Sequence, residues 1–207
     1  MTALDPARIL TTLDGLDPLG DLPRTGWVIR GVVPAETIAA HSHAVAVLVA
    51  MIVDQLRDAG VAVDGERAIR IALVHDAPEA RTGDLPMPHK TPALAAALAA
   101  HEAAVAAEIL PDGLHRDWEA GERGDSIEAR LVAAADKIQM LNKLALLERQ
   151  GRAGHPRFAR MWQNPGNLRG VDIPAVRALY EAVFAKAGRP VPAAPLEDSL
   201  RLSPAAP

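Results

Sequence analysis

Residues 72–86 read Ala72-Leu-Val-His-Asp-Ala-Pro-Glu-Ala-Arg-Thr-Gly-Asp-Leu-Pro86. With Ile69 and Ile71 just before it, the stretch reads as the end of an apolar helix running from about residue 65 to about 77. Pro78 turns the chain there, because proline lacks an amide donor and crowds the preceding turn. A carboxylate following Ala72, Leu73 and Val74 is costly unless paired, hydrogen-bonded or bound to a metal. Adjacent helical positions point about 100° apart, so His75 and Asp76 can grip one ion lying off the helix end.

Outward from this segment the composition favours helices. Of 207 residues 41 are alanine, against 3% aromatics and a single tyrosine. Alanine is the best helix former and a poor strand former, so the expected fold is an all-α single domain of about six to eight closely approaching helices. A β-sandwich or barrel is excluded on the same ground. The net charge of −4 gives no basic footprint for a nucleic acid polymer or an anionic membrane. The absence of cysteine excludes a disulfide framework, a thiolate zinc site and a cysteine nucleophile. Asp5, Pro6 and Arg8 stand where a signal peptide needs apolar residues. The longest apolar run, residues 44–53, has ten residues, against about 20 for a membrane helix. The expectation is a cytoplasmic protein.

The spacing predicts a short helix over 6–13 and a turn at Gly15, Asp17, Pro18 and Gly20. A loop over 22–34 follows, and then a long helix capped by Thr37 and ended near Gly60. Residues 81–92 hold Gly83, Pro86, Pro88 and Pro92 and read as a loop. Pro92 suits the first turn of a helix to about 110, stopped by Pro111 and Gly113, with a short helix over 114–120 beyond it. Ser126 caps a long helix over 127–150, whose Leu131, Ala134, Ala135, Ile138, Leu141 and Leu144 form one apolar stripe. A last helix spans 174–187. Residues 1–188 are read as one domain, and 189–207 as a loose Pro/Ala-rich tail.

Two more candidate ligands lie in settings like that of His75-Asp76. His41 falls early in the long first helix, and Asp136 follows the apolar run 131–135. Two histidines and two carboxylates from three helices make a mixed nitrogen and oxygen site, which with water suits Mn, Co, Fe, Ni or Mg better than closed structural zinc. Taken singly, each has a plainer reading, as a hydrogen-bonded core histidine or a solvated Asp-Lys helix face.

The combination resembles the HD-domain phosphohydrolases, and within them the small branch of bacterial 5′-deoxynucleotidases and their eukaryotic relatives. The resemblance is carried by Arg24-Thr-Gly-Trp-Val-Ile-Arg30, Glu36-Thr-Ile-Ala-Ala-His-Ser42, the segment 72–86 and Ala133-Ala-Ala-Asp-Lys-Ile-Gln-Met-Leu141, in family order. It implies one divalent ion (Co, Mn, Mg, Ni, Fe or Zn) held by His41, His75, Asp76 and Asp136. It makes Glu79 a catalytic acid or base beside water activated by that ion, where the plain alternative is a salt bridge with Arg81. It places Asp84 in the active site, where an Asp after Gly equally caps a turn. Arg24, Arg30 and Lys90 become phosphate-side donors and Trp27 a sugar or base contact, against surface cations and a domain plug. Two departures stand out. Ala40 occupies a position where the family often has Glu, so a supporting carboxylate is missing there. His43 replaces a large apolar residue and, about 200° round the helix from His41, faces away from the same ion.

The resemblance therefore implies hydrolysis of nucleoside 5′-monophosphates, 2′-deoxy ones first, to nucleoside and phosphate, with a small-molecule nucleotide as partner and a homodimer as assembly. A nucleoside triphosphate or another small phosphate ester is the alternative substrate, for which Arg81, Lys90 and Lys137 are the cations to watch. A silent helical binding module is the third reading. His89, His101, His115 and His155 leave room for a second metal, but nothing else in the chain supports one.

Overall fold

Helix starts are written into this chain by short polar side chains. In the computed structural model, which describes residues 4–86 and 91–192, five helices open on a capping oxygen that accepts the amide of the residue three positions on. Asp5 opens α1 (Pro6–Leu16), Thr37 opens α3 (Ile38–Asp58) and Asp64 opens α4 (Gly65–Val74). Thr91 opens α6 (Pro92–Ile109) and Ser126 opens α8 (Ile127–Arg149). Each cap satisfies one of the amides that a helix leaves without an internal partner. The remaining segments are α2 (Thr25–Val28), α5 (Glu79–Thr82), α7 (Asp112–Arg123), α9 (Phe158–Gln163) and α10 (Pro174–Lys186). Seven helices of ten or more residues match the expected all-α bundle.

The core sits where α3, α4, α8 and α10 meet. Every position of the stripe read along α8 is buried, from Leu131 through Leu144. On α3 the buried face runs Ile38, His41, Val45, Val49, Ile52 and Leu56, so His41 occupies a core position and is 0% exposed. By length and composition α3 is apolar enough to cross a membrane, although its longest unbroken apolar run is short. Here its apolar face is spent on α4 and α8. A second cluster joins Val74 and Ala77 to Val105, Ile109, Leu110 and Trp118 and closes the other side of α4.

Several boundaries differ from the sequence reading. The helix carrying His75 stops at Val74, with His75 as its cap. The chain then tightens into i→i+3 bonds, Ala77 N–H to Val74 O at 2.9 Å and Glu79 N–H to Asp76 O at 3.0 Å, before α5 begins. The loops expected over 22–34 and 81–92 each hold or adjoin one extra turn of helix, α2 and α5. Gly113 does not stop a helix but lies in the first turn of α7, which ends at Gly124 in the left-handed conformation that glycine adopts at no steric cost. Similarly, α1 runs on through Gly15 to Leu16. The sequence reading missed α9, which is six residues long and too short to display a period. His89, Lys90 and the tail beyond residue 192 lie outside the described residues.

Close approach of α3 and α4 depends on Gly65. A Cβ built there would lie 2.6 Å from Val53 Cγ1 and 2.8 Å from an Arg57 nitrogen, and Val53 is a buried core residue with little room to yield. Gly65→Ala should therefore destabilise the protein by about 1–3 kcal/mol, the cost of overpacking, despite alanine's better helix propensity. Chemical denaturation of the two proteins measures this directly.

Candidate active site

Three elements deliver polar side chains to one buried corner. The first turn of α3 brings His41, the end of α4 brings His75 and Asp76, and the middle of α8 brings Asp136. The segment before α3 is stitched to it by Arg24 N–H to Glu36 O and Ile38 N–H to Leu22 O, both 2.9 Å, which aims Arg24 into the same corner.

His41 Nε2 lies 3.2 Å from Asp136 Oδ1 and 3.7 Å from Asp76 Oδ2, and His75 Nε2 lies 3.3 Å from the same Asp76 oxygen. Candidate ligand atoms of His41, His75 and Asp136 fall within 4.8 Å of one another. The other nitrogen of each ring is occupied: Nδ1 of His41 is 2.7 Å from Gln139 Oε1, and Nδ1 of His75 is 2.7 Å from Ala72 O. Both acceptors require Nδ1 to carry a proton, so in the neutral ring it is the Nε2 lone pair that is turned toward carboxylate oxygens. Among the described residues, His41 Nε2, His75 Nε2, Asp136 Oδ1 and Glu79 Oε2 are all buried without a hydrogen-bond partner. Converging, unsatisfied, buried acceptors are what a divalent cation needs, so the residues present fit a metal ion.

Arg24 shares this corner, with Nη1 3.1 Å from Asp76 Oδ2 and Nη2 3.9 Å from Asp136 Oδ1. Burial works against its charge, but Asp76, Asp136, Asp84 and Glu79 outweigh it and hold the guanidinium above its ordinary pKa. Burial would likewise raise Asp76, yet His75, Arg24 and His41 together keep it below the usual carboxylate range. Asp136 is held well below it against burial by Lys137, whose Nζ is 2.7 Å away, and by His41. Glu79 goes the opposite way. Burial, then the charges of Asp76 and Asp84, push it up to about 9. Even with Arg24 in the same corner, Glu79 thus keeps its proton at neutral pH.

A cavity of about 740 Å³ opens from this corner. Arg24, Asp76, Glu79, Asp84, Asp136 and Lys137 line one end, while Arg30, Met140, Arg157, Arg160, Met161 and Asn164 line other parts of it. Arg81 pairs with Glu108 on the surface rather than with Glu79. Arg30 donates to Gly26 O at 2.6 Å and lies over the Phe158 ring. Trp27 reaches the cavity wall but is only 3% exposed, with its N–H given to Glu36 at 2.8 Å. His43 is exposed, as its helical position requires, and His101, His115 and His155 join no ligand cluster among the described residues.

The sequence reading passed over Gln139 and the role of Glu36. Gln139 lies one turn beyond Asp136 on α8, a spacing that could have flagged it. The cations Arg157 and Arg160 were also missed, since they lie on and beside the unrecognised α9.

A family model described as HD domain matches residues 16–164. The chain belongs to the HD domain family. Among relatives of this HD domain, the mouse (Mus musculus) 5′-deoxynucleotidase HDDC2 is 32% identical over 140 residues, 65% of this chain and 67% of the relative. The human (Homo sapiens) protein of the same name is 31% identical over 125 residues, so the match spans 58% of each chain. A conserved hypothetical protein from Pyrococcus furiosus has a similar fold, with a TM-score of 0.71 and 27% identity, covering 85% of this chain and 99% of that one.

The raised Glu79 makes a signed prediction for this HD domain without metal. A carboxyl whose folded pKa exceeds its unfolded value of 4.5 favours the fold below pH 4.5 and loses that contribution as pH rises toward 9. Glu79→Gln removes the penalty, so it should raise the melting temperature at about pH 8 more than at about pH 5. Calorimetry in excess chelator tests this, and equal shifts at both pH values would count against a protonated Glu79.

Proposed function

We propose that this HD domain is a metal-dependent phosphomonoester hydrolase that converts nucleoside 5′-monophosphates, 2′-deoxy ones first, to nucleoside and phosphate. The observation that carries the reading is the set of buried, unpartnered acceptors of His41, His75 and Asp136 at one end of a cavity that also holds Arg24 and Glu79. The names of the mouse and human relatives, both 5′-deoxynucleotidases, support the substrate class.

His41, His75, Asp76 and Asp136 would hold the ion. A divalent cation there offsets charge on the phosphoryl group and lowers the pKa of water. Its identity among Co, Mn, Mg, Ni, Fe and Zn follows availability as much as geometry, because this ligand set accepts several. Arg24 already spans Asp76 and Asp136 and presents its remaining N–H groups to phosphate oxygens. Glu79, unpartnered at Oε2, receives the proton of the attacking water once a neighbouring positive charge opposes the pull of Asp76 and Asp84. The proton taken up by Glu79 is the one available to the departing sugar oxygen, and Asp84, on the cavity wall, either relays it there or shapes the site around the 5′ end. Arg30 and Trp27 border the region where sugar and base would lie, and Lys90 stays in the proposal as a phosphate donor. A homodimer in the cytoplasm belongs to the same reading; the exposed Leu10 and Leu13 of α1 offer an apolar surface for the dimer alone.

One feature favours a second reading, a substrate with a longer phosphate chain. Arg30, Arg157, Arg160 and Lys137 all line the cavity. Phosphate release from metal-stripped protein, resupplied with each ion, decides between the two across deoxy- and ribonucleoside mono- and triphosphates. Orthophosphate should appear from deoxynucleoside monophosphates only with metal, and Asp76→Ala should cut the rate by at least about 100-fold. Release confined to triphosphates would favour the longer substrate. No turnover by a chain that binds the ion would overturn both.

A further inference from the structure

The two histidines of the corner are oriented by different means. His75 Nδ1 meets Ala72 O, a backbone carbonyl that cannot turn over. His41 Nδ1 meets a side-chain amide, and an amide presents either its oxygen or its nitrogen according to what lies behind it. Behind Gln139 lies Glu36.

Glu36 is enclosed by donors, and its side chain is 7% exposed. Its Oε1 accepts the Trp27 indole N–H at 2.8 Å, and its Oε2 accepts from Gln139 Nε2 at 3.3 Å and lies 3.3 Å from Lys143 Nζ. A carboxylate can only accept, so Gln139 must turn its NH₂ toward Glu36. Its Oε1 is then left 2.7 Å from His41 Nδ1. That oxygen also only accepts, so His41 Nδ1 must carry a proton, and in the neutral ring the lone pair is then on Nε2, which faces Asp136 Oδ1 at 3.2 Å. The polarity of one carboxylate is thereby passed through one amide to one ring.

We propose that Glu36 is a positioning residue for His41, acting through Gln139 to hold the imidazole in its Nδ1-protonated tautomer with Nε2 free for a cation. The purpose of the relay rests on the metal reading given above, but its existence does not. Trp27 and Lys143 hold Glu36 in place: the indole comes from the segment before α3 and the ammonium from α8, so the relay joins the cavity wall to a ligand across two elements. The same arrangement gives the buried Trp27 N–H a use apart from substrate contact.

The test reads the tautomer in the full-length, metal-free protein by ¹⁵N NMR of its histidine rings, at about pH 8, where an ordinary imidazole is neutral. In the wild type, His41 should show a protonated Nδ1 and an unprotonated Nε2. Glu36→Gln is close to isosteric but offers both a donor and an acceptor, so Gln139 is free to flip and His41 should become a mixture of tautomers. Gln139→Leu, at a partly exposed site, removes the relay without opening the core and should have the same effect. His75 should keep its tautomer in both variants and so reports an intact fold. Affinity for Co or Mn, measured by calorimetry, should fall by about 10–100-fold in each. An Nε2-protonated His41 in the wild type, or an unchanged tautomer in both variants, would overturn the proposal. A tautomer locked in the wild type and released in the variants, in a chain that binds no ion, would uphold the relay and remove the metal reading alone.

Discussion

His41 Nε2, on a fully buried ring, faces Asp136 Oδ1 at 3.2 Å at the inner end of the cavity, and Asp76 brings a second carboxylate within 3.7 Å. Such an assembly of acceptors costs free energy unless positive charge enters it. Arg24 and Lys137 supply some of that charge from the sides, but the nitrogens of His41 and His75 still point inward without a donor. The bundle holds this uncomfortable set together by giving it positions on the stripes that bury the core. His41 belongs to the same face of α3 as Val45 and Val49, and Asp136 directly follows the buried Ala134 and Ala135 on α8. The packing that stabilises the fold is therefore the packing that concentrates the charge.

What the sequence made legible follows from periodicity and local chemistry. The stripe on α8 repeats over more than three turns, and Thr37 and Ser126 stand where a capping oxygen is needed, so both long helices could be read within a residue or two. His75-Asp76 was conspicuous because it ends an apolar run. The turn after it was harder. Pro78 marks a change of direction, but whether the chain loops or tightens into i→i+3 bonds depends on Ala77 and Ala80 packing beneath it. α9 offers only Phe158 and Trp162 as a signal, and their burial is decided by partners elsewhere in the chain.

Within the site, single residues were easier to find than the links between them. All four proposed ligands and Glu79 could be picked out from residue type and family pattern, and the fold brings them to one corner. The Glu36–Gln139 contact spans 103 residues of sequence and leaves no local trace. The alanine at position 40 drew attention to a missing carboxylate, whereas the fold supplies one from Glu36 through an intervening amide. Trp27 shows the limit from the other side. An aromatic residue next to arginines invites a substrate role, but its burial and its bond to Glu36 depend on how the segment before α3 folds back.

Helix α6 is secured very unevenly along its length. From Ala93 to Ala104 the described side chains are exposed or, at Ala95, Leu98 and Glu102, half-buried, and fully buried positions begin at Val105, Ala106 and Ile109. The front half is sustained by the intrinsic helicity of its alanines and by the Thr91 cap, and helicity of that kind depends on temperature and length rather than on tertiary contact. The ligand corner, by contrast, is built on helices that melt only with the core. The Asp84 side of the cavity continues in sequence toward this lightly anchored half-helix, while the His41 side continues into α3. Residues 93–104, with few buried contacts, therefore open locally at a lower free energy than the buried faces of α3 and α8.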